Sequence, residues 1–237
     1  MRLDKFLCDM AQGARSEIKK QIRSGGCVVN GEMIRDPGFQ VSAQDTISLL
    51  GRPVIYREYE YYMLNKPAGI LTATEDKKQE TVLDLFRGTR RTDLFPVGRL
   101  DKDTEGLLLI TNNGALAHRL LAPKSHVDKV YAAVVSGIAD DTDRRAFEHG
   151  IRIGEDLVTL PAALNILSVS PETNTSKVIV TIHEGKFHQI KKMFLACGKE
   201  VISLKRLAMG PLSLDPTLRP GEYRHLTAEE QEKLLKL

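Results

Sequence analysis

The 237-residue chain contains no tryptophan, and aromatic residues make up only 5% of it. A sugar-cleaving enzyme needs two acids and aromatic rings to stack sugars, so this composition argues against one. Cys8, Cys27 and Cys197 are an odd, widely spaced set with no C-x-x-C pair. They suit neither a disulfide framework nor a cysteine metal site, and the expected compartment is the reducing cytoplasm. The six histidines are scattered, with no i, i+4 pair and no H-E-x-x-H. No G-x-x-x-x-G-K-[ST] loop is present either. Neither a metal nor a nucleotide cofactor is therefore expected. No run approaches the roughly 18–20 apolar residues that span a bilayer. The amphipathic N-terminus has no signal-peptide pattern, so no membrane attachment is expected. Internal repeats and low-complexity tracts are missing as well.

Hydrophobic residues are 42% and charged residues 27%, the balance of a globular protein of one large or two smaller domains. The net charge of +3 is too small to name a partner, so the placement of the charges matters more. Leu3, Phe6, Leu7 and Met10 share one helical face and predict a helix over 2–11. Ser16 is a good N-cap for a second helix to Ser24, with Ile18 and Ile22 inward and Lys19, Lys20 and Arg23 outward. Gly25-Gly26 stops that helix. Strand 27–29, the Asn30-Gly31 turn and a return at Met33-Ile34 make a hairpin, Asp36-Pro37-Gly38 turns again, and strand 46–50 completes a small sheet. Segment 12–35 holds Arg15, Lys19, Lys20, Arg23 and Arg35 against Glu17 and Glu32. Such a face either binds phosphates or is simply solvated. Residues 51–58 read as a linker, which places the division at domain 1–50, linker 51–58 and domain 59–237.

In the larger part, residues 98–106 (GRLDKDTEG) precede the apolar run Leu107–Ile110, which predicts a charged loop at the edge of a buried strand. That is a good place for an acid, base or nucleophile. Asp101 and Asp103 lie two apart, so in an extended segment only one can face a substrate. Further strands are expected at 61–64, 129–136, 177–182 and 201–204, with broken strands over 151–167. Helices are expected at 82–86, 115–121, 140–150 and 188–197. Thr227 and Glu230 predict a capping box for a last helix. The loop 87–91 is basic and either touches nucleic acid or is solvated. Segment 186–206 carries Lys186, Lys191, Lys192, Lys199, Lys205 and Arg206 against Glu200.

GRLDKDTEGLLLITNNG resembles the catalytic motif of RNA pseudouridine synthases, in the branch that modifies ribosomal RNA at single sites. The stretches 61–67 (YYMLNKP), 129–131 (KVY), 184–194 (EGKFHQIKKMF) and 220–224 (PGEYR) match the same family in order. The opening MRLDKF and the length are most similar to members acting on 16S rRNA of the small subunit. The resemblance implies an α+β protein: a small N-terminal alpha-L RNA-binding module before a catalytic domain with a mostly antiparallel sheet flanked by helices. It implies isomerisation of uridine to pseudouridine, with no cofactor and with ribosomal RNA or an assembling ribosomal subunit as the partner of a monomer. It carries the catalytic role to Asp101, with Lys191 as its counter-charge and Tyr131 beside the flipped base. Asp103 is left as a solvated or capping group. RNA contacts fall to Arg99, Arg15, Lys19, Lys20, Arg23, Lys186, His188, Gln189, Lys192 and Arg206. Rival readings are a 23S rRNA enzyme and a non-catalytic rRNA-binding assembly factor.

Overall fold

The structure is a computed structural model that describes residues 1–10, 12–89, 91 and 93–237, the Pro123 side chain aside. Ala11, at the end of the first expected helix, and Arg90, in the basic loop, lie outside the described residues. Two compact units form: Met1–Glu60 with Leu83–Leu94, and Tyr61–Val82 with Phe95–Leu237.

In the first unit, α1 (Leu3–Asp9) and α2 (Arg15–Arg23) bury Leu3, Phe6, Leu7, Ile18 and Ile22, as their helical spacing requires. Ser16 does not cap α2. The cap position falls two residues earlier, at Ala14, and carries no side-chain cap. Burial of Ile18 and Ile22 sets the helix here, overriding the capping preference. Strands β1 (Cys27–Val29), β2 (Glu32–Ile34), β3 (Ile47–Leu49) and β4 (Arg52–Val54) form an antiparallel sheet in the order β2-β1-β3-β4. Asn30 and Gly31, at φ 51° and 87°, make the expected tight turn. The expected linker is instead partly β4. Leu50 and Gly51 adopt φ 50° and 75° and turn the chain back onto β3. A leucine rarely accepts that conformation, which is why the turn carries no sequence signal. Pro53 is tolerated because β4 is an edge strand.

The second unit holds β5 (Tyr61–Lys66), β6 (Phe95–Pro96), β7 (Glu105–Thr111), β8 (Lys129–Ser136), β9 (Ala163–Ser170), β10 (Thr175–Ile182), β11 (Val201–Met209), β12 (Leu212–Ser213) and β13 (Tyr223–His225). They make one sheet in the order β13-β5-β7-β11-β8-β10-β9, with β6 on β7 and β12 on β11. Its helices are α3 (Gly114–Leu121), α4 (Asp141–His149), α5 (Gln189–Ala196) and α6 (Ala228–Leu235). Asp140 with Asp143, and Thr227 with Glu230, close capping boxes on α4 and α6. The run Leu107–Ile110 is buried, with α3 supplying Leu116 and Leu120 to the same core as Leu107 and Leu109. Three expectations shift. Residues 151–162 form only an isolated bridge, Arg152 to Val158, before β9. Residues 84–89 are a 3-10 turn grouped with the first unit. Strand β11 runs to Met209, so Lys205 and Arg206 lie inside it.

Every pairing described in the large sheet is antiparallel except β7 on β11, joined at Lys205–Glu105 and Arg206–Gly106. Gly106 sits there at φ 102°, and a Cβ on it would lie 2.2 Å from the Arg206 carbonyl oxygen. Gly106→Ala is expected to cost about 3 kcal/mol or more, combining a disfavoured φ with overpacking. Gly31→Ala, at φ 87° with open space around it, should cost only about 1–2 kcal/mol. Urea unfolding followed by circular dichroism compares them, and equal losses would refute the close-approach reading.

Candidate active site

The loop between β6 and β7 carries Asp101. It is a turn and not extended, because the Thr104 N–H donates to the Asp101 carbonyl at 3.1 Å. The two carboxylates therefore do not point to opposite faces. Lys191, from α5, places Nζ 3.2 Å from Asp101 Oδ2 and 2.6 Å from Asp103 Oδ1. Burial pulls the Lys191 ammonium down, but hydrogen bonds to Asp103 and Asp101 outweigh it and leave its pKa raised. The hydrogen bond from Lys191 holds the Asp103 carboxyl below the usual range. Asp103 is thus an ion-pair partner of Lys191 and not a bystander, although its side chain is 71% exposed against 26% for Asp101. His188 brings Nε2 to 3.5 Å from Asp101 Oδ1. It does so from a left-handed backbone, φ 52°, at the entrance to α5.

These groups open onto a cleft at the end of the sheet. Arg99, exposed, lies on its rim, and Tyr131, buried on β8, lines its wall. Asp101, His188 and Lys191 complete the polar side, with Ile190 and Leu204 on the apolar side. Such a site can hold one ionised carboxylate against a flat, partly apolar ligand. Among the described residues no group of three or more His, Cys, Asp and Glu is arranged to hold a metal ion.

Other site expectations separate. Gln189 is buried; its Oε1 accepts from the Lys186 N–H at 3.0 Å, and its Nε2 donates to Glu184 Oε1 at 2.9 Å. Lys186 pairs with Glu184 and donates to the Val158 carbonyl at 3.2 Å. Both brace the turn before α5 through these internal contacts. Arg206 is the clearest correction. It is 2% exposed, and its Nε donates to the Leu107 carbonyl at 2.7 Å, because β11 continues through it. Lys199 is tied to Asp143 at 2.9 Å. Of the lysines in the expected basic segment, Lys192 and Lys205 remain outside ion pairs among the described residues. Lys192 holds its Nζ 5.1 Å from the Phe187 ring centre.

In the first unit, the buried Asp4 gathers the basic face. Arg2 donates to it at 3.0 and 3.1 Å, and Arg15 and Lys19 approach to 3.6 and 3.8 Å. The hydrogen bond from Arg2 keeps the Asp4 carboxyl below its ordinary value. Lys20 and Arg23 project outward. Asp4 hides in the sequence because it stands between apolar positions of a short helix.

Lys66, at the end of β5, is a site residue that the sequence pattern does not single out, although it lies in the 61–67 stretch. It is fully buried, 0% exposed, and donates to the carbonyls of Thr104 at 2.9 Å, Pro67 at 3.0 Å and Lys102 at 3.2 Å. Its signal is a lysine closing a strand of otherwise mostly apolar residues. Burial pushes its ammonium down to about 8, against the pull of Asp103, Asp101 and Glu105.

A family profile described as RNA pseudouridylate synthase matches residues 60–196, and an S4 domain profile matches residues 1–47. The chain belongs to the RNA pseudouridine synthase family, isomerases that act on RNA, with an S4 domain preceding the synthase domain. An uncharacterized RNA pseudouridine synthase of Bacillus subtilis is 46% identical over 97% of this chain and 96% of its own. Ribosomal small subunit pseudouridine synthase A of Vibrio cholerae is 39% identical over the whole of both chains. Ribosomal large subunit pseudouridine synthase B of Bacillus subtilis is 38% identical over 98% of this chain and 95% of its own. A crystal structure of a pseudouridylate synthase superposes with a TM-score of 0.69 at 36% identity, covering 99% of each chain.

The Lys66 pKa predicts a pH signature. A lysine whose folded pKa lies below its unfolded value holds fewer protons in the folded state between the two, so its contribution to stability rises with pH there. The window runs from about 8 to the ordinary 10.5. Stability of wild type relative to Lys66→Met should rise across it by on the order of 3 kcal/mol. Urea unfolding at pH values of about 7.5 and about 10 measures this, and parallel profiles would refute the assignment.

Proposed function

We propose that the chain converts one uridine of 16S rRNA to pseudouridine, with Asp101 as the catalytic carboxylate. The observation that carries this reading is the Lys191–Asp101 ion pair at 3.2 Å, set in a cleft walled by Tyr131. The reaction breaks the N1–C1′ bond, turns the uracil and forms a C5–C1′ bond. The proton lost at C5 is matched by one gained at N1, so no co-reactant is consumed. A carboxylate divides cleavage of a glycosidic bond into easier steps. Lys191 pairs with that carboxylate at 3.2 Å and fixes its orientation toward the cleft. In this reading Tyr131 flanks the base and assists proton removal from C5. Arg99 on the rim meets the RNA where the uridine has left the stack. The cytosol is the compartment, and a monomer acts on rRNA or on an assembling subunit.

Full-length identity to a small-subunit enzyme supports the 16S target. The 38% identity to a large-subunit enzyme favours 23S rRNA as the second reading. Tritium release from C5-labelled 16S and 23S transcripts separates the two. In the same assay Asp101→Asn should fall to background while RNA binding survives. Asp103→Asn should lose about fivefold or less, the weight of an exposed ion pair of about 1 kcal/mol. Lys191→Arg should keep part of the activity and Lys191→Met almost none. If Asp103→Asn is dead and Asp101→Asn active, the carboxylate is misassigned.

The S4 unit is read as a phosphate clamp without a chemical role. Replacing Lys19, Lys20 and Arg23 with glutamine should lower the salt slope of RNA binding by about one unit for each phosphate no longer held. It should raise KM for rRNA far more than it lowers kcat. An unchanged slope would make this face merely solvated.

A further inference from the structure

Phe187 is 73% exposed, the most exposed large apolar side chain among the described residues. It stands in the chain between Lys186 and His188, both of which line the cleft. Its position is not loose. The ring stacks on the His188 imidazole with centroids 3.8 Å apart and planes 21° apart. His188 in turn lies 3.5 Å from Asp101. The Lys192 ammonium, on the first turn of α5, lies over the ring 5.1 Å from its centre, where an arriving base would displace it toward the adjoining phosphate. An apolar ring held in place yet left in water gains little from burial where it is. Aromatic faces of this kind take unstacked nucleobases, and a nearby cation takes the adjoining phosphate.

We propose that Phe187 is a stacking platform for the nucleobase next to the target uridine, with Lys192 on the phosphate between them. This rests on the reading above that the cleft receives a uridine drawn out of the RNA. When one nucleotide leaves the stack, its neighbour loses a stacking face, and Phe187 supplies a replacement. The platform makes Phe187 a specificity-determining residue, since purines offer it a larger face than pyrimidines.

The alternative is that Phe187 only braces His188. The two separate with a ten-residue single-stranded RNA of uridines carrying one 2-aminopurine, whose fluorescence is quenched by stacking. Wild type should quench the probe. Phe187→Ala and Phe187→Leu should bind about five- to 150-fold more weakly and without quenching, while Phe187→Tyr keeps both properties. The salt slope should be unchanged in the Phe187 variants and fall by about 0.7 in Lys192→Gln. Leucine still packs on His188, so a Phe187→Leu variant that binds and quenches like wild type overturns the platform. Absence of quenching by wild type overturns it as well. Because Phe187 is exposed, these variants keep the fold. Tritium release by wild type from rRNA tests the enzymatic reading separately: release without quenching sinks only the platform, and quenching without release sinks only the enzymatic reading.

Discussion

The loop that carries Asp101 depends on a buried ammonium. Lys66 reaches from the end of β5 into the loop and satisfies the carbonyls of Lys102 and Thr104 together with that of Pro67. Without a donor there, two loop carbonyls would turn inward unpaired, at a cost of about 1–3 kcal/mol each. The lysine is itself costly to bury, and the Asp103, Asp101 and Glu105 carboxylates offset part of that cost from a distance. An inner lysine, Lys66, acts on the carboxylates by charge from a distance, and an outer one, Lys191, pairs with Asp101 and Asp103 directly. The inner one shapes the turn, and the outer one sets the charge at the cleft.

The second constraint lies directly after the loop. Strands β7 and β11 run parallel over two residue pairs only, and they meet where Gly106 has no side chain. Arg206 stitches the seam by donating to the Leu107 carbonyl. Tyr131 is its register partner on β8, so the cleft wall and the loop are referred to the same strand. A further consequence is electrostatic. Burial, and then the Arg206 charge, push the Lys129 ammonium below its ordinary value.

Charge counted along the chain and charge available to RNA are different quantities here. The segment ending at Arg206 is rich in lysine, yet Lys186, Lys191 and Lys199 are each paired with a carboxylate. In the S4 unit Asp4 likewise holds Arg2, Arg15 and Lys19 as an ordered group while Lys20 and Arg23 stay outward. Ordering by a buried carboxylate lowers the net charge of the face but fixes its shape, and phosphate positioning needs shape as well as charge.

Elements that depend on local pattern could be read directly from the residues. Helices α1 and α2 follow from apolar spacing, β7 from the run Leu107–Ile110, the Asn30-Gly31 turn from its backbone chemistry, and α6 from its capping box. The pairing of Asp101 with Lys191 was expected from motif resemblance, not from spacing, because ninety positions of chain separate them. The tertiary structure alone decided the rest. A turn, not a strand, brings Asp101 and Asp103 to one lysine. A leucine forced into the left-handed region makes β4. Arg206, Gln189 and Lys199 turn inward because strand continuation and buried carboxylates claim them. Local sequence governs which backbone shape a segment prefers. Whether a charge faces solvent or a buried partner depends on residues far away in the chain, and only packing brings those together.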